Sequence, residues 1–369
     1  CMCGYSSTDD EKYMRHAIEL AKKGLGWTNP NPMVGAVIVK DGKIIGEGYH
    51  KKYGELHAET SALNNCTKSP EGATIYVTLE PCCHHGKQPP CTEAIIKAGI
   101  KRVVIGSLDP NPLVSGKGMQ ILREHNIQVD NKLVCNRECI DMNYVFFHYI
   151  KEKLPYVIVK YAQTLDGKIA THNGLSKWIT GEAARENVHM DRHRYSAIMV
   201  GINTVLKDDP MLNCRSKAIE NPHQPVRIVC DTRLRIPYDS NLIKTAGQIP
   251  VWIVTCCHDK ERINMYEKAG CEIIAMEGEK IDIAQLMIIL GRRGIDSCIC
   301  EGGAELNWSV IKSGMVKRIQ AYIAPKIFGG VDAPISVAGV GFDAPDDALK
   351  LKDYTVTRLG DDILIEGEV

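Results

Sequence analysis

His57-Ala58-Glu59, followed by Pro81-Cys82 and then by Cys91, gathers one imidazole, two thiols and one carboxylate into short stretches. Imidazole and thiolate are zinc ligands. A zinc ion held by three protein atoms keeps its fourth position for water, whereas a structural site is closed by four. Zinc lowers the pKa of that water to about 7. A glutamate two residues after the ligating histidine is then free to move protons. The pattern points to metal-assisted hydrolysis at neutral pH, of the kind that removes an amino group from a nucleobase-like ring.

The spacing differs from the common H-x-E followed by P-C-x-x-C. Here Cys82 and Cys91 are nine positions apart, and Cys83, His84 and His85 compete as ligands in the same loop. Local structure favours the outer pair. Residues 74–79 read as a strand, so Cys82 lies just past its end. Pro89-Pro90 ends the loop, and 92–99 read as a helix stopped by Gly99. Cys91 then sits at a helix N-terminus, which favours a thiolate, and His57 opens a helical stretch of its own. The expected site is one zinc on His57, Cys82 and Cys91, with Glu59 moving the proton. A structural zinc or a set of unrelated buried cysteines would leave Glu59 without a task.

A second group of residues follows strand ends further along. Residues 300–308 (C-E-G-G-A-E-L-N-W) leave an apolar strand and open a helix. Glycines there let amides approach an anion, although an ordinary tight turn has the same look and the G-x-G-x-x-G fingerprint is missing. Residues 164–170, 176–180 and 201–210 also follow the end of a strand, where open α/β sheets bind ligands. Arg192 and Arg215 are able to grip a phosphate through bidentate bonds, or to be solvated surface arginines.

The elements that must position these residues fall into two groups. A chain of 369 residues is long for one core, so two domains are expected. In the first, a helix over 11–23, a hairpin (34–39 and 43–48, turning at Asp41-Gly42), the His57 helix, strands at 74–79 and 102–106, the Cys91 helix, a helix at 119–125 and an edge strand at 127–129 imply an α/β/α sandwich. Residues 132–153 read as one connecting helix. Pro155 opens a second α/β unit, with strands expected at 156–161, 197–200, 226–230, 251–255, 272–275, 297–300 and 318–324 and helices at 183–192 and 284–293. The expected domains are 1–150 and 151–369.

The 45 basic and 45 acidic side chains cancel, which argues against a nucleic-acid backbone as partner and hence against an RNA-editing deaminase. No apolar run approaches the roughly 20 residues of a membrane helix. Fifteen cysteines without a signal peptide read as free thiols in a reducing cytoplasm. Cys1 to Gly4 read as a frayed or added end, with structure beginning near Thr8, a helix cap paired with Glu11.

Taken together, T-N-P-N-P-M-V-G-A (28–36), H-A-E (57–59), E-P-C-C-H-H-G-K-Q-P-P-C (80–91), T-L-D-G-K-I-A, S-K-W-I-T, G-I-N-T-V-L-K-D-D-P and E-G-G-A-E-L make the chain resemble the bifunctional riboflavin-biosynthesis family over nearly its whole length. The resemblance implies a cytidine-deaminase-like domain followed by a dihydrofolate-reductase-like domain that uses NADPH. It also implies two reactions in order. The first is deamination of 2,5-diamino-6-ribosylamino-4(3H)-pyrimidinone 5′-phosphate. The second is reduction of the ribosyl group of 5-amino-6-(5-phosphoribosylamino)uracil to ribityl. By motif position, Asn31 and His50 would hold the pyrimidine, and His84 and Lys87 the sugar phosphate. In the second domain Ser176, Arg192, Leu212, Arg215 and Glu301 would face substrate. Ala162, Trp178, Thr204, Asp208, Thr232 and the run Gly303, Ala304, Glu305, Leu306, Asn307, Trp308 and Ser309 would face the cofactor. Lys160 would polarise or protonate the opening ribose, or else be a salt-bridged strand lysine. Tyr161 and Gln163 place bulk where small residues would let a nicotinamide lie close. A homo-oligomer formed through the reductase domain is implied as well.

Overall fold

The computed structural model describes residues 7–85, 89–111 and 115–369. Lys87 and Cys1 to Gly4 lie outside these. The chain divides into two compact units, the first ending at Glu152 and the second beginning at Lys153.

The first unit runs α1 (Ser7–Lys22), β1 (Gly35–Lys40), β2 (Lys43–Tyr49), α2 (Ala58–Asn64), β3 (Thr74–Val77), α3 (Cys91–Lys97), β4 (Arg102–Ile105), α4 (Lys117–Glu124), β5 (Gln128–Val129), α5 (Asn136–Met142) and α6 (Tyr144–Glu152). Its sheet has the order β2-β1-β3-β4-β5. The β1 contacts are antiparallel, and β3, β4 and β5 are parallel. Alternation along the strands makes two cores, one on each face. Ala36, Ile38, Ile75 and Val103 pack with Ala62, Ile95 and Leu122. Val37, Val39, Tyr76 and Val104 pack with Met14 and Ile18 of α1. This is the expected three-layer sandwich.

Two glycines bring α2 close to the sheet. A Cβ on Gly48 would fall 2.3 Å from Ala62 N, and one on Gly46 would fall 2.5 Å from Ala62 O. No larger residue fits at either strand position, so β2 sets where His57 and Glu59 lie.

The single helix expected over 132–153 is instead two, broken at Asn143. The Asn143 side chain, 4% exposed, accepts from Met33 N and donates to Met33 O, each at 2.8 Å. A side chain holding both backbone groups of a distant residue fixes the chain there, between the end of α5 and the start of α6 at Tyr144. None of the α6 residues is fully buried.

The second unit runs β6 (Tyr156–Thr164), α7 (Glu182–Arg194), β7 (Ala197–Gly201), α8 (Ile202–Asp208), β8 (Val226–Cys230), α9 (Asn241–Lys244), β9 (Val251–Thr255), α10 (Lys260–Lys268), β10 (Glu272–Ala275), α11 (Ile283–Arg292), β11 (Ser297–Cys300), α12 (Ala304–Lys312), β12 (Val316–Ala324), β13 (Lys352–Leu359) and β14 (Asp362–Glu368). The sheet order is β10-β9-β8-β7-β11-β6-β12-β14-β13. It is parallel from β10 to β12 and antiparallel at β14 and β13. The β13–β14 hairpin was not among the expected strands. Every residue of β13 except Leu359 is exposed, so the alternation of Tyr354 and Val356 with Thr355 and Thr357 marks no buried face there. No described helix is long and apolar enough to cross a membrane.

Candidate active sites

In the first unit, His57 precedes the first turn of α2 and Cys91 opens α3. The loop after β3 carries Cys82. His57 Nδ1 lies 3.3 Å from Cys91 Sγ and 3.4 Å from Cys82 Sγ, and the three ligand atoms lie within 4.8 Å of one another. Tetrahedral zinc with bonds of about 2.3 Å to sulfur and 2.0–2.1 Å to nitrogen needs N···S separations of roughly 3.6 Å. The donor set fits zinc in chemistry and in spacing, and Glu59 remains outside it. Cys83, His84 and His85 are not part of the cluster.

The helix start acts differently from the expectation. The Cys91 amide donates to Cys82 Sγ at 3.3 Å, so the first turn of α3 supports the Cys82 thiolate. The Cys91 thiol also donates to Cys82, which makes Cys82 the sulfur that gives up its proton first. Glu59 is 4% exposed. Burial, with the Cys82 thiolate nearby, pushes its carboxyl up to about 7.

His57, Glu59 and Cys82 line a cavity of about 350 Å³ together with Asn31, His50 and His84. His50 is buried, 3% exposed. Its Nδ1 donates to Leu56 O at 3.0 Å, which leaves Nε2 as an acceptor facing the Asn31 amide at 3.5 Å. Burial lowers its pKa, so the ring is neutral. His84 is exposed at the cavity rim.

Sequence reasoning missed Glu80, Asp109, Asn111, Phe146 and Ile150, all of which line the cavity. Asp109 and Asn111 follow the C-terminal end of a parallel strand, a position that was available as a signal. Glu80 accepts from the amides of Gly116 (2.9 Å), Gly118 (3.0 Å) and Met119 (3.3 Å), which anchors the chain two residues before Cys82.

In the second unit an ion group forms around Glu301. Arg192 of α7 donates from Nε to Oε1 at 2.9 Å and from Nη2 to Oε2 at 2.7 Å, and from Nη1 to Asn213 O at 3.2 Å. Lys160 Nζ lies 3.8 Å from Glu301 Oε2 and 5.5 Å from the Tyr322 ring centre. Burial alone would raise the Glu301 pKa, but Arg192 and Lys160 hold it down to about 2. Burial lowers that of Lys160, an effect Glu301 only partly offsets. The Arg192 fork is therefore committed to Glu301 and not open as a two-pronged phosphate grip. Arg215 is exposed and donates to Asn213 Oδ1 at 3.1 Å, beside the buried Leu212.

Thr204 of α8 faces the Gly302-Gly303 turn. A Cβ on Gly303 would fall 3.6 Å from Thr204 Oγ1, and φ is 75° there and 131° at Gly302, values that favour glycine. The first-turn amides of α12 thus lie at the adjacent ends of β7 and β11, where a cofactor phosphate fits. Asp208 ends α8, and the Thr232 carbonyl accepts from Cys256 N at 3.0 Å. Ser176 and Trp178 lie on the loop between β6 and α7. Trp178 is 64% exposed, and the Arg185 guanidinium lies 4.4 Å from its ring centre.

Two expectations are corrected here. Residues 303–309 are not one cofactor-facing loop. Gly303, Ala304 and Glu305 are at the open end, but Leu306, Asn307 and Trp308 are buried on the inner face of α12. Asn307 donates to Ser336 O at 2.9 Å, Trp308 meets the Phe342 ring edge-on at 5.2 Å, and Ser309 bonds back to Glu305 O. The second concerns bulk beside Ala162. Tyr161 packs into the core of α11 and α12, while Ala162 packs with Ala184 and Tyr322 on the α7 side. Gln163 accepts from Ser336 Oγ at 2.7 Å. Strand parity puts Tyr161 and Gln163 on the face opposite Lys160.

Asp191, four residues after Asn187 on α7, is 7% exposed, and its Oδ2 has no hydrogen-bond partner. Burial, opposed by Arg194, pushes its carboxyl up to about 7. The folded state thus binds a proton that the unfolded chain, with a carboxyl near 3.9, has released, and stability falls as pH rises between the two values. Asp191→Asn removes this loss. Its gain in melting temperature over wild type is expected to grow from pH 5 to pH 8; a difference that does not change with pH would contradict the assignment.

Comparison with known proteins gives a consistent picture. The family model for the RibD C-terminal domain matches residues 155–365, and that for the cytidine and deoxycytidylate deaminase zinc-binding region matches 7–107. The riboflavin biosynthesis protein RibD of Actinobacillus pleuropneumoniae is 50% identical over 364 residues, 98% of this chain and 96% of that protein. RibD of Escherichia coli K12 is 37% identical over 366 residues, 96% of this chain and 98% of that one. Among solved structures, a diaminohydroxyphosphoribosylaminopyrimidine deaminase/5-amino-6-(5-phosphoribosylamino)uracil reductase of Thermotoga maritima superposes with a TM-score of 0.88 at 38% identity, covering 99% of both chains. RibD of Acinetobacter baumannii gives 0.88 at 36% identity, covering 99% of this chain and all of that one.

Proposed function

The chain belongs to the RibD family of riboflavin biosynthesis, and on that premise we propose how its own residues divide two reactions between the two units. It is a zinc-dependent deaminase joined to an NADPH-dependent reductase. The substrate is the small-molecule pyrimidine ribosyl phosphate, which first loses an amino group as ammonia. The ribosyl group of the product is then reduced to ribityl.

Residues 1–150 carry the deaminase and 151–369 the reductase. His57, Cys82 and Cys91 hold the zinc, which when bound supplies a water-derived nucleophile at neutral pH. Asn31 and His50 hold the edge of the pyrimidine, and His84 and Lys87 the sugar phosphate. The Glu59 carboxylate takes a proton from the water and delivers it to a ring nitrogen and then to the departing ammonia. Burial suits Glu59 to this work, because it raises the carboxyl's hold on a proton above that of an exposed glutamate. The observation that carries the reading is this buried carboxylate beside a His/Cys/Cys set on one cavity.

In the reductase, NADPH when bound would supply a hydride for C1′. Lys160 gives a proton to the ring oxygen as the ribose opens, and Glu301 and Arg192 hold Lys160 in place. Ser176, Leu212 and Arg215 meet the substrate. Ala162, Trp178, Thr204, Asp208, Thr232 and the turn from Gly303 to Glu305 meet the cofactor. The chain forms a homo-oligomer through the reductase unit, a reading supported by exposed Tyr354 and Val356 on the edge strand β13. It works in the cytoplasm, in keeping with the unpaired thiols among the described cysteines.

The test supplies the diaminopyrimidine ribosyl phosphate to the zinc-loaded protein and follows ammonia. Release is expected without NADPH, and added NADPH is then oxidised in equal amount. Ammonia release that requires NADPH would overturn the division into two independent reactions.

A further inference from the structure

The polar groups of the deaminase cavity meet a planar ring at its edge. Its face needs an apolar partner. Phe146 and Ile150 of α6 line the same cavity, and the other phenyl ring there, Tyr53, is 46% exposed. Both α6 residues lie in the stretch between the two matched family segments, which end at 107 and begin at 155. An aromatic helix with no fully buried residue is unusual unless its apolar face serves a ligand.

We propose that Phe146 and Ile150 form the wall on which the pyrimidine ring of the substrate lies, and that Asn143 is the residue that positions them. Phe146 and Ile150 are spaced i, i+4, which places them on one face of α6, and the Asn143 carbonyl starts that helix by accepting from Phe147 N at 3.0 Å. Asn143 is clamped to both backbone groups of Met33 at 2.8 Å. The segment that Met33 belongs to also brings Asn31, Pro32 and Val34 to the cavity. Val34 O in turn accepts from His50 N at 2.9 Å. One buried amide therefore ties the residues that meet the ring's edge to the helix that meets its face. A ring held at its edge alone can tilt out of line; held on its face as well, it presents one carbon toward the His57, Cys82 and Cys91 set.

The inference rests on the deaminase reading and is tested separately from it. Steady-state ammonia release is measured on the full, zinc-loaded chain for wild type, Phe146→Ala, Phe146→Tyr, Ile150→Ala and Asn143→Ala. Stacking of a base on an aromatic ring is worth about 1–3 kcal/mol, so Phe146→Ala should raise KM by roughly 5- to 160-fold, more than it lowers kcat. Phe146→Tyr, which keeps the ring, should recover most of the loss, and a merely structural defect would not show this split. Ile150→Ala and Asn143→Ala should move KM in the same direction. Zinc content and reduction of already deaminated substrate, read on the same preparations, report that the chain is folded. If Phe146→Ala loses zinc, Ile150→Ala decides by the same readout. A KM within twofold of wild type in a zinc-loaded variant overturns the inference. Wild type that releases no ammonia would instead overturn the deaminase reading.

Discussion

Glu59→Gln is expected to lower ammonia release by about 10²–10⁴-fold, the usual range for removing a general acid–base, and to leave zinc bound. Glu59 is the second residue of α2 and is buried against the metal set, but the three ligand atoms come from His57, Cys82 and Cys91. Glutamine keeps the volume and removes the titrating oxygen. Its amide neither takes up nor gives up a proton near neutral pH, so water is not deprotonated and ammonia not protonated. Metal analysis of the purified variant decides the point. Zinc equal to wild type with ammonia release lost supports a proton carrier; zinc lost along with activity would make Glu59 a ligand and the three-ligand site wrong.

Glu301→Gln is expected to abolish NADPH oxidation on the deaminated substrate while ammonia release stays at the wild-type rate. The Glu301 side chain is 6% exposed and faces the guanidinium of Arg192 at 2.7 Å and the ammonium of Lys160 at 3.8 Å. Without its charge two buried cations face each other unpaired. Removing one partner of such a group costs about 2–5 kcal/mol, which in a rate is between one and four orders of magnitude. The Lys160 ammonium, already pushed toward its neutral form by burial, loses the anion that keeps its proton. Coupled loss of both activities would mean that Glu301 supports the whole chain and not the reductase alone; an unchanged reductase rate would remove Lys160 and its partners from the reaction.

The parts of both sites that were legible in the sequence are those encoded by neighbours. H-A-E lies in one helical turn, and Cys82 and Cys91 flank one loop, so strand, loop and helix signals were enough to select them. The same holds for the Gly302-Gly303 turn between β11 and α12. What was hidden depends on partners far along the chain. Nothing near Asn143 shows that it will clamp Met33, and so the break between α5 and α6 was missed. Lys160 and Glu301 meet only because β11 lies beside β6. The buried placing of Asn307 and Trp308 follows from helical periodicity once α12 is known to start at Ala304, and Tyr161 from the parity of β6. The β13–β14 hairpin was missed for another reason: Tyr354 and Val356 alternate with Thr355 and Thr357 along β13, but the strand is exposed and that alternation marks no buried face.

Two sites work in order on one chain. The most direct test is NADPH oxidation with the undeaminated diaminopyrimidine ribosyl phosphate, comparing wild type with Glu59→Gln. Wild type is expected to oxidise NADPH and the variant not to, with the variant recovering when given the deaminated intermediate. Equal oxidation of NADPH by both proteins on the undeaminated substrate would show that reduction does not wait for deamination, and would contradict the order on which the account rests.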